Sequence, residues 1–95
     1  TGKRIIVTPG MIELGDKQYE LNKALGKHIG DSIDIAIIVG AYNREALLEG
    51  VKSGSIEEQN VYAVDSFNEA QALLARILQK GDTVLYENDL PDTFK

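Results

Sequence analysis

The run Ile33-Asp34-Ile35-Ala36-Ile37-Ile38-Val39 constrains the fold more than any other part of the sequence. It is apolar everywhere except Asp34, so as a strand it has no face to show to water. Such a strand must be covered on both sides, which points to an open, mostly parallel sheet with helices on each face. Three further short runs read as strands: Arg4-Ile5-Ile6-Val7-Thr8, Val61-Tyr62-Ala63-Val64 and Asp82-Thr83-Val84-Leu85. Helix-like segments separate them, giving the order β-α-β-α-β-α-β of a three-layer, Rossmann-like α/β domain. Connections of this length predict right-handed crossovers.

The helices carry their own signals. After Gly15, Asp16 can cap a helix whose positions Leu21, Ala24, Leu25, His28 and Ile29 follow the spacing of one buried face, with Gly30 as its stop. Gly40-Ala41-Tyr42-Asn43 turns into a second helix over Arg44 to Lys52, closed by Gly54. Ser66 and Glu69 form a capping box: the serine hydroxyl accepts from the Glu69 amide while the carboxylate reaches back to the Ser66 amide. The third helix then presents Ala70, Leu73, Leu74, Ile77 and Leu78 as one stripe and ends at Gly81.

At 95 residues and 43% hydrophobic content, residues 1–95 suit one domain that buries roughly two thirds of its unfolded surface. The absence of cysteine excludes disulfides and thiolate metal sites, and favours a reducing compartment. The net charge of −5 and scattered lysines argue against nucleic acid and anionic membranes as partners. No run approaches about 18 apolar residues and no signal-peptide pattern opens the chain, so a cytoplasmic protein is expected.

Two loops hold the candidate chemistry. Pro9 to Gly15 follows the first strand and Tyr86 to Asp92 follows the last, and in a parallel sheet such ends emerge on one edge, where ligands bind. The two loops are therefore expected to face a common cleft. Glu13 could bind an ammonium group, or serve as a cap or solvated charge. Arg44 offers a fork suited to a carboxylate; otherwise Asn43 caps the second helix and Arg44 lies in solvent. Glu87, Asn88, Asp89 and Asp92 could hold an ammonium group or a hydrated magnesium ion, or form a polar tail. His28 reads as a helix-face residue, Met11 and Tyr42 as packing near the cleft rim, and Gly10 and Gly15 as backbone devices more than phosphate binders.

Several of these residues together resemble the Mur ligases, the ATP-dependent enzymes that build the peptidoglycan stem peptide. Gly10-Met11-Ile12-Glu13-Leu14-Gly15 resembles the Gly-Asp-Met-x-Glu-Leu-Gly signature of the D-alanyl-D-alanine-adding branch, with Pro9-Gly10 in place of Gly-Asp. Asn22, four positions before Gly26, stands where the family commonly has histidine. Val39-Gly40 and Lys80-Gly81-Asp82-Thr83-Val84-Leu85 also resemble family positions, whereas Glu87-Asn88-Asp89 replaces the family's Lys-Gly-Ser.

The resemblance implies the greater part of the C-terminal domain of a three-domain ligase. A UDP-muramoyl peptide would be activated as an acyl phosphate, and an amine such as D-alanyl-D-alanine would attack it to form an amide. ATP and magnesium would lie mainly in the central domain, since neither a Walker loop nor the family's Asp-Asp opening motif is present. The partners would be the central and N-terminal domains and the two substrates. Glu13, Asn43, Arg44, Glu87, Asn88 and Asp89 would face the amine, Asn22 the nucleotide, and no residue would act as a catalytic group. A missing opening strand is expected to leave Arg4 to Thr8 with an unpaired edge, inviting self-association. Readings from other classes are a receiver-like signalling module, which would need an acidic pair where Thr8-Pro9 stands, and a noncatalytic dinucleotide-binding module, which would need Gly-x-Gly-x-x-Gly there.

Overall fold

A computed structural model describes residues 2–11 and 15–86. Among them are four strands, β1 (Arg4–Thr8), β2 (Ile35–Val39), β3 (Val61–Val64) and β4 (Thr83–Tyr86), and three helices, α1 (Gln18–Ser32), α2 (Arg44–Lys52) and α3 (Phe67–Ile77). The strands form one sheet in the order β3-β2-β1-β4, parallel throughout. The α/β architecture read from the sequence is the one observed.

The order explains the layers. Strands β1, β2 and β3 are laid down in one direction through α1 and α2, and α3 then carries the chain back across the sheet to place β4 on the other side of β1. Ile5, Val7, Ile35, Ile37 and Val39 pack against Ala70, Leu73 and Leu74 of α3. Ile6, Ala36 and Ile38 face Ile29 of α1 and Leu47 and Val51 of α2. All five residues of β2 are buried, as its lack of a polar face requires. Each fully buried branched side chain contributes about 1.5–3 kcal/mol, so these two clusters hold the layers together.

Strand β1 is central. Ile5 pairs with Ile35 on one side and Val84 on the other. The expected open edge at Arg4 to Thr8 is therefore corrected, because β4 occupies that flank; the edges of the described sheet are β3 and β4.

Helix α1 differs most from its expected form. Its buried residues are Asn22, Gly26, Ile29 and Gly30, while Leu21, Ala24 and His28 are exposed and Leu25 is half-buried. Gly30 does not end it; the helix runs to Ser32. Backbone contact is the reason: a Cβ at Gly26 would collide with the Leu47 carbonyl, and one at Gly50 with the Lys23 carbonyl. Helices α1 and α2 touch through residues without side chains, which a count of apolar side chains cannot register. A short 3-10 turn over Gly15–Lys17 precedes α1, and Asp16 makes no cap.

The other helices follow their signals more closely. Helix α2 spans the expected residues. In α3 the Ser66 hydroxyl accepts from the Glu69 N–H at 3.1 Å, while the Glu69 carboxylate approaches the Ser66 hydroxyl instead of its amide. The helix ends at Ile77, leaving Leu78 exposed. Asp34 is also accounted for: its carboxylate accepts from the Arg4 N–H at 2.8 Å, anchoring the start of β1 beside β2.

Candidate functional site

Strand order reverses between β1 and β4, and in open parallel sheets the carboxyl edge at such a reversal is where ligands bind. Val7 pairs with Tyr86, so the loops after β1 and β4 start side by side. Glu13, Glu87, Asn88, Asp89 and Asp92 lie outside the described residues. Pro9, Gly10 and Met11 are described, and a buried polar network holds them.

The network is made of uncharged side chains. Thr8 Oγ1 accepts from the Gly10 N–H at 3.0 Å, turning the chain sharply as β1 ends. Gly10 has φ of 83°, and a Cβ there would sit 2.5 Å from Asn22 Oδ1, so only glycine fits. The Met11 N–H donates to Asn22 Oδ1 at 2.7 Å. Asn22 Nδ2 donates to the carbonyls of Gln18 (2.8 Å) and Met11 (3.0 Å), and Asn43 Nδ2 donates to those of Pro9 (3.0 Å) and Met11 (2.8 Å). Gln18 Nε2 donates to the Met11 carbonyl and to Asn43 Oδ1, the latter at 2.7 Å. The pattern fixes each carboxamide's orientation, because the Met11 N–H needs an oxygen and the carbonyls need N–H groups.

Asn22 and Asn43 are 0% and 4% exposed. Asparagine is tolerated at such depth only when its hydrogen-bonding groups are matched. Asn22, which the resemblance directs to the nucleotide, is fully buried; its contacts run to the loop, to α1 and, at 3.3 Å, to Asn43 Oδ1. Asn43 occupies the N-cap position of α2 without making a side-chain cap, and reaches across to the β1 loop. Gln18 is the member of the network that sequence reasoning missed. Its signal was its place one turn ahead of Asn22, but a glutamine in a first helical turn is ordinarily solvated.

Arg44 turns the other way. One terminal nitrogen, Nη2, donates to the Val64 carbonyl at 3.1 Å and to Asp65 Oδ1 at 2.8 Å, tying the end of β2 to that of β3. Its Nε is buried and has no partner among the described residues. Asn43 and Arg44, adjacent in sequence, therefore serve opposite sides of β2. Tyr42, expected to pack, is 70% exposed, whereas Met11 is half-buried.

The described part of the loop does not suit a triphosphate. A phosphate cradle needs free backbone N–H groups, and those of Gly10 and Met11 are already donated to Thr8 and Asn22. No three residues of the His, Cys, Asp and Glu types gather as a metal site among the described residues. A groove lined by Leu48, Lys52, Ile56, Glu58, Val61 and Ala63 flanks β3. No described helix is long and apolar enough to cross a membrane.

No family model matches the chain, and no curated protein matches it. Among solved structures it is similar to MurF from Acinetobacter baumannii, with a TM-score of 0.71 and 24% identity across 90% of this chain. The chain spans 19% of the length of that MurF chain. Strand order, layers and structural likeness agree that this is an α/β domain with a Mur-ligase-like fold.

Proposed function

We propose that this chain is the substrate-positioning C-terminal domain of an ATP-dependent, amide-forming ligase of peptidoglycan precursor synthesis, presenting D-alanyl-D-alanine or a related amine to an activated UDP-muramoyl peptide. The observation that carries the reading is the loop after β1. Its described residues, Pro9 to Met11, lie at the reversal of strand order and are held by a buried carboxamide network, with the Gly10 and Met11 N–H groups unavailable to phosphate. A loop so built serves to aim the side chains that follow. ATP and magnesium are assigned to the rest of the ligase, because the described residues do not fit them.

In this reaction class an amine attacks an activated carboxyl carbon, and the rate depends on the two groups being held in line and away from water. Glu13, with Glu87, Asn88 and Asp89 on the neighbouring loop, holds the amine substrate by its ammonium and amide groups. Asn22 and Asn43 act through the loop backbone, and Arg44 orders the adjoining turn. The MurF structural likeness supports the assignment.

The test is steady-state kinetics on the full-length protein with a panel of amines. Glu87→Ala is expected to raise KM for the amine about tenfold and leave KM for ATP unchanged, since lost ground-state contacts appear in binding. A change confined to the ATP constant would refute the proposal, as would the absence of amide formation with every amine.

A further inference from the structure

Strand β3 is an edge of the described sheet, and its backbone has an unused side. The Gly40 N–H donates to the Val64 carbonyl at 2.8 Å, so Val64 turns its peptide groups towards β2. Backbone groups alternate in direction along a strand, so Tyr62 does the same, while Val61 and Ala63 turn theirs away from the sheet. No described strand meets them. Nothing in Val61–Val64 guards that edge, since it contains no proline and no charge. Grooves run along both faces of it: Leu48 and Ile56 with Val61 and Ala63 on the α2 side, and Tyr62, Glu69, Ala72 and Arg76 on the α3 side. A strand laid beside β3 would send alternate side chains into each.

The charges on α3 decide where that strand comes from. Glu69, Ala72 and Arg76 are exposed on one stripe, acid and base about two turns apart with a small residue between them. Among the described residues neither Glu69 nor Arg76 makes an ion pair. A twofold axis normal to the sheet sets α3 of a second copy antiparallel to the first, which brings each Glu69 towards the partner's Arg76 and lets the helices approach over Ala72. The same axis, passing at Tyr62, puts Val61 opposite the partner's Ala63, so the outward N–H and C=O groups of both strands are matched. We propose that β3 is a self-association surface: two copies of this chain join β3 to β3, antiparallel, in one continuous sheet. The strand is short and each copy has a net charge of −5, so the dimer is weak and forms only as concentration rises.

Sedimentation velocity of the full-length protein over about a hundredfold dilution, together with amide hydrogen exchange, supplies the test. A reversible monomer–dimer equilibrium is expected. The Ala63 amide should exchange slowly in concentrated solution and quickly in dilute, while those of Tyr62 and Val64, which face β2, stay protected throughout. Arg76→Glu sets acid against acid across the twofold and is expected to raise the dimer dissociation constant about tenfold. Adding Glu69→Arg to that variant restores the complementarity and should restore the affinity. Ala63→Pro removes an N–H that β2 does not use, and should abolish the dimer while circular dichroism shows the fold retained. A protein that stays monomeric over the whole range, or a dimer in which the Ala63 amide exchanges freely, would overturn the proposal. So would Ala63 protection that persists in the dilute monomer, because another segment or another protein would then cover the edge.

Discussion

The two ends of strand β1 are tied down by different chemistry. At the carboxyl end the ties are neutral carboxamides, and Asn22 and Asn43 are buried. At the amino end they are carboxylates at the surface: Asp34 accepts from the Arg4 N–H at 2.8 Å, and Asp82 accepts from the Lys3 N–H at 2.8 Å and the Gln79 N–H at 3.0 Å. Burying a carboxylate demands a matched counter-charge, whereas a carboxamide with all its groups bonded can be buried outright. Pro9, Gly10 and Met11 are thus held by neutral groups, and the opposite end by carboxylates. The ties on these three loop residues are neutral, while part of the domain's stability, through Asp82, depends on pH.

The strongest way to break this contrast is to remove a neutral tie. Asn43→Ala strands the Pro9 carbonyl and withdraws the brace on Gln18, and is expected to cost about 2 kcal/mol in denaturant unfolding, by a similar amount at pH 5 and pH 8. A cost that varied steeply with pH over that range would show that the carboxamide end is not insulated.

A smaller effect is expected at the other end. The N–H groups of Lys3 and then Gln79 hold the Asp82 carboxyl below the usual aspartate range. A lowered folded-state pKa contributes stability that is present above the ordinary aspartate value and is lost as the pH falls through the folded one. Acid unfolding monitored by circular dichroism should therefore be less steep in Asp82→Asn than in the unsubstituted protein, with the difference confined to pH values below the ordinary aspartate range. Identical acid limbs would remove Asp82 from the account.

The least effect sharpens the comparison by placing a titrating tie near the carboxyl end. Tyr19, in the first turn of α1, donates its hydroxyl to Glu49 of α2, and chiefly through that bond its pKa is pushed up to about 12. Lys23 joins the cluster at 2.8 Å from Glu49. A raised pKa contributes stability that is complete below the unfolded tyrosine value of about 10 and disappears as the pH rises through the folded one. The cluster is exposed and screened, so Tyr19→Phe should lower thermal stability only slightly at pH 7, and less in high salt, with the difference from the unsubstituted protein disappearing as the pH rises through the folded value. A difference that persisted unchanged on the alkaline side would mean that packing, not the titrating hydroxyl, is what Tyr19 supplies.

Much of this was legible in particular residues. Helix α2 began at Arg44 and ended at Lys52 as its flanking turns indicated, and the Ser66 cap and the strand Val61–Val64 were where their signals placed them. The first helix was misjudged by its own apolar residues. Leu21 and His28 looked like a core face, yet the face in contact is Asn22, Gly26, Ile29 and Gly30. Hydropathy spacing weighs side chains; here two glycines make the contact by having none, and an asparagine is buried by its hydrogen bonds. At the site, Asn43 was found but its partner was not, because Asn43 and Met11 meet across 32 positions of sequence.

Sequence by itself determined the class of fold. A strand with no polar face, helices of crossover length between short apolar runs, and the absence of cysteine leave little besides a covered parallel sheet. Only the tertiary structure decided that β4 returns to the far side of β1 instead of extending the sheet beyond β3. Local pattern says which residues are strands but not which strands are neighbours, since every parallel pairing satisfies the same backbone groups. That choice makes β1 central and puts its loop at the reversal point. The buried carboxamide network arises in the same way, from three side chains that acquire common partners only once α1 and α2 have packed together.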